Sequence, residues 1–458
     1  MRGWKRLARI ITTVCILILV TISPASIMGH IVGPEIVEPE QSGWLLQEES
    51  PEVSFSTIND LERASDGLFF AGEKLHANGT QVGWFGVVGL NGSLVWDKQI
   101  NTPTFTNGTG AQYNNTGCIY VVGHGAQGCT LFKVNYTGFL LWNTTFGDPG
   151  DIVNQATIIK IDGGFTPNNN GITVIGTKAN GTSAFVSNFN ETTGTLEFTY
   201  YPGENTIEEQ DQGLAIATDP LLEGVVYLGG GLSTASGKPG VYHGFIEQLN
   251  LSTMAPNWRK VLSINSHVEI TTIQVEPVYG GVITAGSMDG DAMLYPLVWW
   301  DGSDGWNERE RPYLRWGGTG NEKITDAIIL GEANNFLVYM TGFTTSFGNG
   351  KRDFFVLKVD FNAKLEWEKT WGVATSDTAH TITAEPGMSV FVGGNAGNRF
   401  TIVQNPSGKI NPFSKFIGSD RGALIFISVV GMIGPGVFIA IVIIYRRKRR
   451  VQGLATWI

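Results

Sequence analysis

The chain has 458 residues, 41 acidic against 31 basic, a net charge of −10 and 42% apolar side chains. With 25 phenylalanines, 13 tryptophans and 60 glycines it is a cored, turn-rich chain, and a disordered polyelectrolyte is excluded. All 41 acidic residues lie between the two apolar ends, which hold nine of the basic ones; 31 less nine leaves 22 against 41, a middle that repels phosphate backbones and excludes nucleic acid as a partner.

The first element is MRGWKRLARIITTVCILILVTISPASIMGH. Arg2, Lys5, Arg6 and Arg9 precede an apolar run from Ile10 to Ile22, and Ser23 and Ala25 supply small residues for cleavage. Residues 1–29 therefore read as a secretory signal peptide, with an uncleaved anchor as the alternative. Residues 30–50 contain GWLLQ, which resembles a lone outer strand able to close a ring of repeats.

From residue 51 an apolar strand ending in glycine recurs: at Gly72, Gly123, Gly176, Gly229, Gly286, Gly342 and Gly393, spaced by 51 to 57 residues. Each copy begins with another strand, such as ATIIKI or ITDAIIL, and a third follows, such as CTLFKV or FFVLKV. A fourth has the form Leu-x-Trp: Leu94 and Trp96, Leu140 and Trp142, Leu365 and Trp367. Short β-branched and aromatic strands bounded by turn residues, four to a unit and seven units long, predict an all-β, seven-bladed β-propeller over residues 51–413. A β-solenoid and two stacked sandwiches are the rivals. In KVDFNAKLEWEKTWG, alternation puts Leu365, Trp367, Lys369 and Trp371 on one face of the fourth strand of unit six.

Cys118 and Cys129 flank a glycine-rich turn in CIYVVGHGAQGC, and an exported chain permits a disulfide between them. Nine Asn-x-Ser/Thr sites are glycan acceptors in such a chain: Asn78, Asn91, Asn107, Asn114, Asn135, Asn143, Asn180, Asn190 and Asn250. None follows Asn250. In WWDGSDGWNERE the oxygens of Asp301, Ser303, Asp304 and Asn307 crowd around glycine turns and are candidate calcium ligands, although the spacing departs from the EF-hand loop. Apart from that ion no cofactor is expected. The six histidines show no metal spacing; His267 and His380 open the first strands of units five and seven and are expected in the ring axis. No nucleophile elbow, phosphate loop or dinucleotide fingerprint is present.

Residues 414–422 form a juxtamembrane linker. Ala423 to Tyr445 is uncharged and long enough for a single transmembrane helix, and Arg446 to Arg450 mark residues 446–458 as a basic cytoplasmic tail. The expected topology is a single-pass cell-membrane protein with an extracellular N-terminal domain.

The stretch Trp316 to Gly372 resembles the β-propeller repeats of archaeal and bacterial surface proteins (SBBP-like repeats), on Trp316, Gly317, Gly318, Asp326, Ala327, Gly342, Thr344, Ser346, Phe347, Gly348, Asp353, Phe355, Lys358, Asp360, Leu365, Trp367, Lys369, Thr370, Trp371 and Gly372. Ala363 departs where that pattern has a turn Gly or Asn. The resemblance implies the fold and little about activity. The expected function is a binding, adhesion or surface-display module that takes a protein or glycan ligand on propeller loops. An exported glycan- or peptide-active enzyme with its site in the ring mouth, and a structural envelope component, are the alternatives. Carboxylates clustered with a histidine in the mouth would favour the enzyme.

Overall fold

The computed structural model describes residues 45–405, except 48–49, 65–66, 115–116, 161–169, 180, 182, 203–208, 235–241, 263–265, 277, 279–280, 306–312, 332–335, 349–350, 361–363, 373–374 and 385–388. Its 28 strands form seven antiparallel four-stranded sheets. Blade one is β2 (Val53–Arg63), β3 (Gly67–His76), β4 (Gln81–Gly89) and β5 (Leu94–Ile100). Blade two is β6 (Asn107–Tyr113), β7 (Cys118–Gly125), β8 (Gly128–Asn135) and β9 (Leu140–Phe146). Blade three is β10 (Ile152–Lys160), β11 (Asn170–Thr177), β12 (Ala184–Asn190) and β13 (Leu196–Tyr200). Blade four is β14 (Glu209–Thr218), β15 (Val225–Thr234), β16 (Tyr242–Asn250) and β17 (Ala255–Leu262). Blade five is β18 (Val268–Val275), β19 (Val282–Met288), β20 (Asp291–Leu297) and β21 (Leu314–Trp316). Blade six is β22 (Glu322–Leu330), β23 (Leu337–Thr344), β24 (Asp353–Asp360) and β25 (Leu365–Trp371). Blade seven joins β26 (Asp377–Ala384), β27 (Val390–Ala396) and β28 (Arg399–Asn405) to β1 (Leu45–Gln47), which pairs Leu45 with Val403 and Gln47 with Thr401.

Each first strand touches the first strands of both neighbours, so these seven line the axis. One apolar cluster fills each of the seven seams. Between blades one and two, for example, Phe69, Phe85 and Val87 meet Phe105, Val121 and Phe132. Burying one such side chain is worth about 1.5–3 kcal/mol.

One device explains the recurring glycine. Every first strand carries a β-bulge, at Asn59, Thr109, Asn154, Leu214, Thr271, Thr325 and His380. The residue before the bulge pairs with a glycine on the second strand in all seven blades. A bulge drives the strand's carbonyl toward its neighbour. A Cβ on that glycine would lie 2.0 Å from Thr57 O at Gly72, 1.7 Å from Gln212 O at Gly230 and 1.9 Å from Lys323 O at Gly342. The equivalent residue in blade four is Gly230 rather than Gly229, and in blade seven Gly394 rather than Gly393. Both blades carry a Gly-Gly pair, and only pairing register tells its members apart.

A second bulge corrects the face assignment of the Leu-x-Trp strand. Lys358 pairs with Trp367 and Val359 with Leu365, which leaves Glu366 over. The extra residue turns Leu365 to the seam with blade five, while Trp367 and Trp371 pack in the seam with blade seven. The same offset accompanies Leu94 and Trp96, and Leu140 and Trp142.

The expected disulfide is absent: Cys118 and Cys129 are free thiols. The hairpin of β7 and β8 turns between Gly125 and Gly128, which sets Cys129 opposite His124 and Cys118 opposite Asn135. The cysteines thus stand at opposite ends of the hairpin, six residues of strand apart. At ~3.3 Å per residue that is roughly 20 Å, far beyond bridging distance. Burial, with Asp151 beside it, pushes the Cys129 thiol up to about 12. Alkylation is expected to find both thiols free after denaturation and Cys129 protected in the native protein; a mass lower by two hydrogens would show a bridge instead.

Among the described residues no helix is long and apolar enough to cross a membrane. The transmembrane expectation thus finds no support there. The segments that carried it, 1–29 and 423–458, lie outside the described residues, as does the weak strand expected at 408–413.

Candidate functional site

The ring encloses an axial channel of about 400 Å³ lined by first-strand residues of all seven blades. Its polar lining includes Asp60, Glu62, Gln112, Gln155, Gln274 and Asp326, and among the described residues no lysine, arginine or histidine. Sequence reading missed Asp60, Glu62 and Asp326 as a group, because they lie far apart in sequence inside otherwise strand-like stretches. The available signal was an acidic residue at the same place in two repeats, NDLER and TDAII.

The bulges build the channel wall. A bulged residue cannot pair within its own sheet, so its side chain reaches across the seam to the carbonyl that precedes the next blade's bulge. Asn59 Nδ2 donates to Gly108 O at 2.9 Å, Thr109 Oγ1 to Val153 O at 2.9 Å, Asn154 Nδ2 to Gly213 O at 2.6 Å and Thr325 Oγ1 to Ala379 O at 2.8 Å; Thr271 Oγ1 does the same to Ile324 O. Leu214 has no donor. His380 turns to Asn395 Oδ1 of its own blade at 3.3 Å.

Several residues just after the bulges accept a backbone N–H from the next blade. Asp60 Oδ2 takes Ala111 N at 2.7 Å, Gln155 Oε1 takes Ile216 N at 2.8 Å, Asp326 Oδ2 takes Ile382 N at 2.9 Å and Thr381 Oγ1 takes Leu61 N at 3.0 Å. Asp60 and Asp326 therefore pin blades together. Burial raises their carboxyls, to about 6 for Asp60 and about 7 for Asp326. Glu62 has no hydrogen-bond partner among the described residues; burial, and then the charges of Asp60 and Asp326, raise it to about 8.

The two histidines expected in the axis are elsewhere. His380 does not line the channel, and burial lowers it to about 4. His267 precedes β18, where its N–H donates to Asp289 Oδ1 at 2.8 Å.

In the candidate calcium loop, Asp304 accepts Tyr295 OH at 2.6 Å and pairs with Lys260, while Asp301 Oδ1 caps Ser303 N at 2.9 Å. Ser303 N–H thus closes a turn, and Asn307 lies outside the described residues. Among the described residues no group of three or more His, Cys, Asp or Glu side chains is placed to hold a metal ion.

The sequons fall into two groups. Asn78, Asn91 and Asn143 are exposed. Asn135, Asn190 and Asn250 end the third strands of blades two to four, where each Oδ1 caps N–H groups of its own hairpin turn. Asn107 accepts from Asn59, Asn114 donates to Glu191, and Asn180 lies outside the described residues.

Outside the channel, the hairpins between third and fourth strands form a latch. Trp96 Nε1 donates to Tyr136 O of blade two at 2.9 Å, Trp142 Nε1 to Glu191 O of blade three at 3.3 Å and Trp258 Nε1 to Trp299 O at 2.9 Å. A positive-φ glycine of the receiving turn, Gly138, Gly194 or Gly302, lies against each indole ring. Each hairpin is thereby held beside the outer strand of the blade before it. Blades one to three expose a fringe of large apolar side chains at this level: Leu94, Val95, Phe139, Leu140, Leu141 and Leu196, with 43% to 66% of their surfaces accessible.

No protein-family model matches the chain, and no curated protein does. Among solved structures it is similar to Kuenenia stuttgartiensis hydrazine synthase, at 8% identity over 79% of this chain and 99% of that one with a TM-score of 0.50. It is also similar to the Dos1 propeller, at 13% identity over 76% and 78% with a TM-score of 0.49. A third is BBS1N in complex with ARL6DN, at 9% identity over 80% and 98% with a TM-score of 0.46. Likeness at these identities extends to the propeller fold alone. The comparisons support the β-propeller fold and do not single out the surface-protein repeats.

Proposed function

We propose that the protein is a binding module that holds a protein partner on the hairpin fringe of blades one to three, in adhesion or surface display. The observation that carries this reading is the fringe itself: large apolar side chains on three successive blades at one level of the ring. Apolar surface gathered in this way marks interaction sites. Its chemistry favours protein over glycan, because five of the six side chains are aliphatic and offer neither a flat ring nor a hydrogen bond to a sugar. An enzymatic reading has less support. Asp60 and Asp326 are engaged by backbone N–H groups, no histidine joins them, and Glu62 alone makes no acid–base pair.

The test is saturable binding of fluorescently labelled full-length protein to cells of its own source. Phe139→Asp combined with Leu141→Asp is expected to weaken binding at least about tenfold, the equivalent of ~1.4 kcal/mol, with unchanged thermal melting because both side chains are exposed. Equal binding by the variant would refute the fringe as the contact surface.

A further inference from the structure

The seam where the ring closes carries an unusual hydrogen-bond count. Thr381 Oγ1, on β26 of blade seven, lies 3.3 Å from Asp60 Oδ1 of blade one and 3.2 Å from Asp326 Oδ2 of blade six. It also accepts Leu61 N at 3.0 Å. A threonine hydroxyl has one proton to give and two lone pairs. It can donate to one carboxylate only. The other contact becomes a hydrogen bond only when that carboxyl carries a proton and donates it to the remaining lone pair of Thr381. With both acids ionised, one carboxylate oxygen faces the threonine oxygen with nothing between them.

We propose that Asp60, Thr381 and Asp326 share a single bound proton that locks blade seven to both of its neighbours, and that its release as pH rises loosens the closing blade. Thr381 and the adjoining Ile382 N–H are the contacts of blade seven in this lock, and Ile382 N donates to Asp326 Oδ2 at 2.9 Å. The remaining bonds hold both carboxyls in place: Asp60 Oδ2 accepts Ala111 N, Asp60 Oδ1 accepts Leu61 N at 2.8 Å and shares it with Thr381, and Asp326 Oδ1 accepts Ala327 N at 2.8 Å and Thr272 Oγ1 at 3.1 Å.

Burial, and for Asp326 the charge of Asp60, favours keeping the proton. Glu62 on β2 is itself held protonated up to about pH 8, so it brings no charge to the pair while they titrate. Arg63, also on β2, turns its Nη1 to Gly67 O at 3.3 Å in its own hairpin. From β26, His380 is neutral above about pH 4, and Asp377 accepts Gly397 N; at the start of β22, Glu322 accepts Thr344 Oγ1 and Lys323 pairs with Glu269 of β18. The facing strand of blade two, β6, carries Tyr113 and no charged residue, and among the described residues the channel lining supplies no cation.

The sign follows from linkage. An acid whose pKa is raised on folding binds its proton more tightly in the folded chain, so stability falls as pH rises from the ordinary carboxyl range through the raised value. For Asp60, Asp326 and Glu62 that window closes at about 6, 7 and 8. His380 acts in the opposite direction: lowered to about 4 from 6.5, it adds stability as pH rises between those values and nothing beyond. Titration from pH ~6.5 upward therefore isolates the acids.

The experiment is infrared spectroscopy of the full-length protein from pH 5 to 9, following the carbonyl band of protonated carboxyl groups, alongside thermal melting. In the wild type the band is expected to persist above pH 6 and to disappear in steps, with Tm lower by about 3 °C or more at pH 8.5 than at pH 6.5. Asp326→Asn should remove the step of the shared proton, and Glu62→Gln only the step at highest pH. Glu62 has no bond to lose, so Glu62→Gln stays folded and keeps the test decisive should Asp326→Asn fail to fold. A wild-type band gone by pH 5.5, or a Glu62→Gln variant whose remaining band does not titrate above pH 6, would overturn the proposal.

Discussion

Gly342→Ala is expected to cost at least about 3–4 kcal/mol or to abolish folding. Alanine's Cβ would stand 1.9 Å from Lys323 O and 2.9 Å from Lys323 C. These are backbone atoms, held in place by the bulge at Thr325 and the pairing of Ile324 with Gly342. A side-chain clash can relax by rotation, but this one requires β22 and β23 to part. That would break the ladder and draw Thr325 away from Ala379 O, its contact across the seam. Urea denaturation measures the loss. Gly281→Ala is the control: the nearest atom to its added Cβ is 3.9 Å away, so its midpoint should barely move. A wild-type midpoint for Gly342→Ala would show that the bulge does not fix the carbonyl.

Trp96→Ala should destabilise the protein by about 3 kcal/mol, at the lower end for large aromatic truncations because the ring is half-buried. It removes an indole packed edge-on to Phe85, with centroids 6.3 Å apart, and covered by Gly138 of the next blade. Trp96→Phe retains an aromatic ring but leaves Tyr136 O without the indole donor, at about 1 kcal/mol. The graded order, wild type above Phe above Ala in chemical melts, tests the latch as hydrogen bond plus packing. Equal losses for Phe and Ala would mean that packing contributes nothing.

The seven-fold fold was legible because its cause recurs in each unit: a bulge on the first strand demands a glycine on the second, and a spacing of glycines is visible in a sequence. What a bulge does to side-chain direction is less visible. Simple alternation sent Leu365 to the same face as Trp367, and only the extra residue Glu366 separates them. The cysteines illustrate the same limit. Eleven residues apart around a glycine-rich turn, they suit a bridge until the turn is located at Ala126 and Gln127, which sends Cys118 to the far end of the hairpin. Asp60 and Asp326 went unnoticed as partners because they lie 266 positions apart in sequence and meet only through Thr381, once the ring has closed. The fringe was hidden for a different reason. Its leucines occupy positions that look like core, and only the outer-edge placement of the fourth strands exposes them.

The pairing of β1 with β28 also sets a schedule for the newborn chain. Gln47 leaves the ribosome 354 residues before Thr401, its hydrogen-bond partner. At the usual ~5–20 residues per second that interval is roughly 18–70 s. Meanwhile Leu68, Phe70 and Trp84 of blade one wait for Phe391, Phe400 and Ile402, which complete their cluster. The first blade to emerge is thus the last to be covered. Its half-finished face is where a chaperone would be needed for longest, and where a translational stall in the final repeats would do most harm.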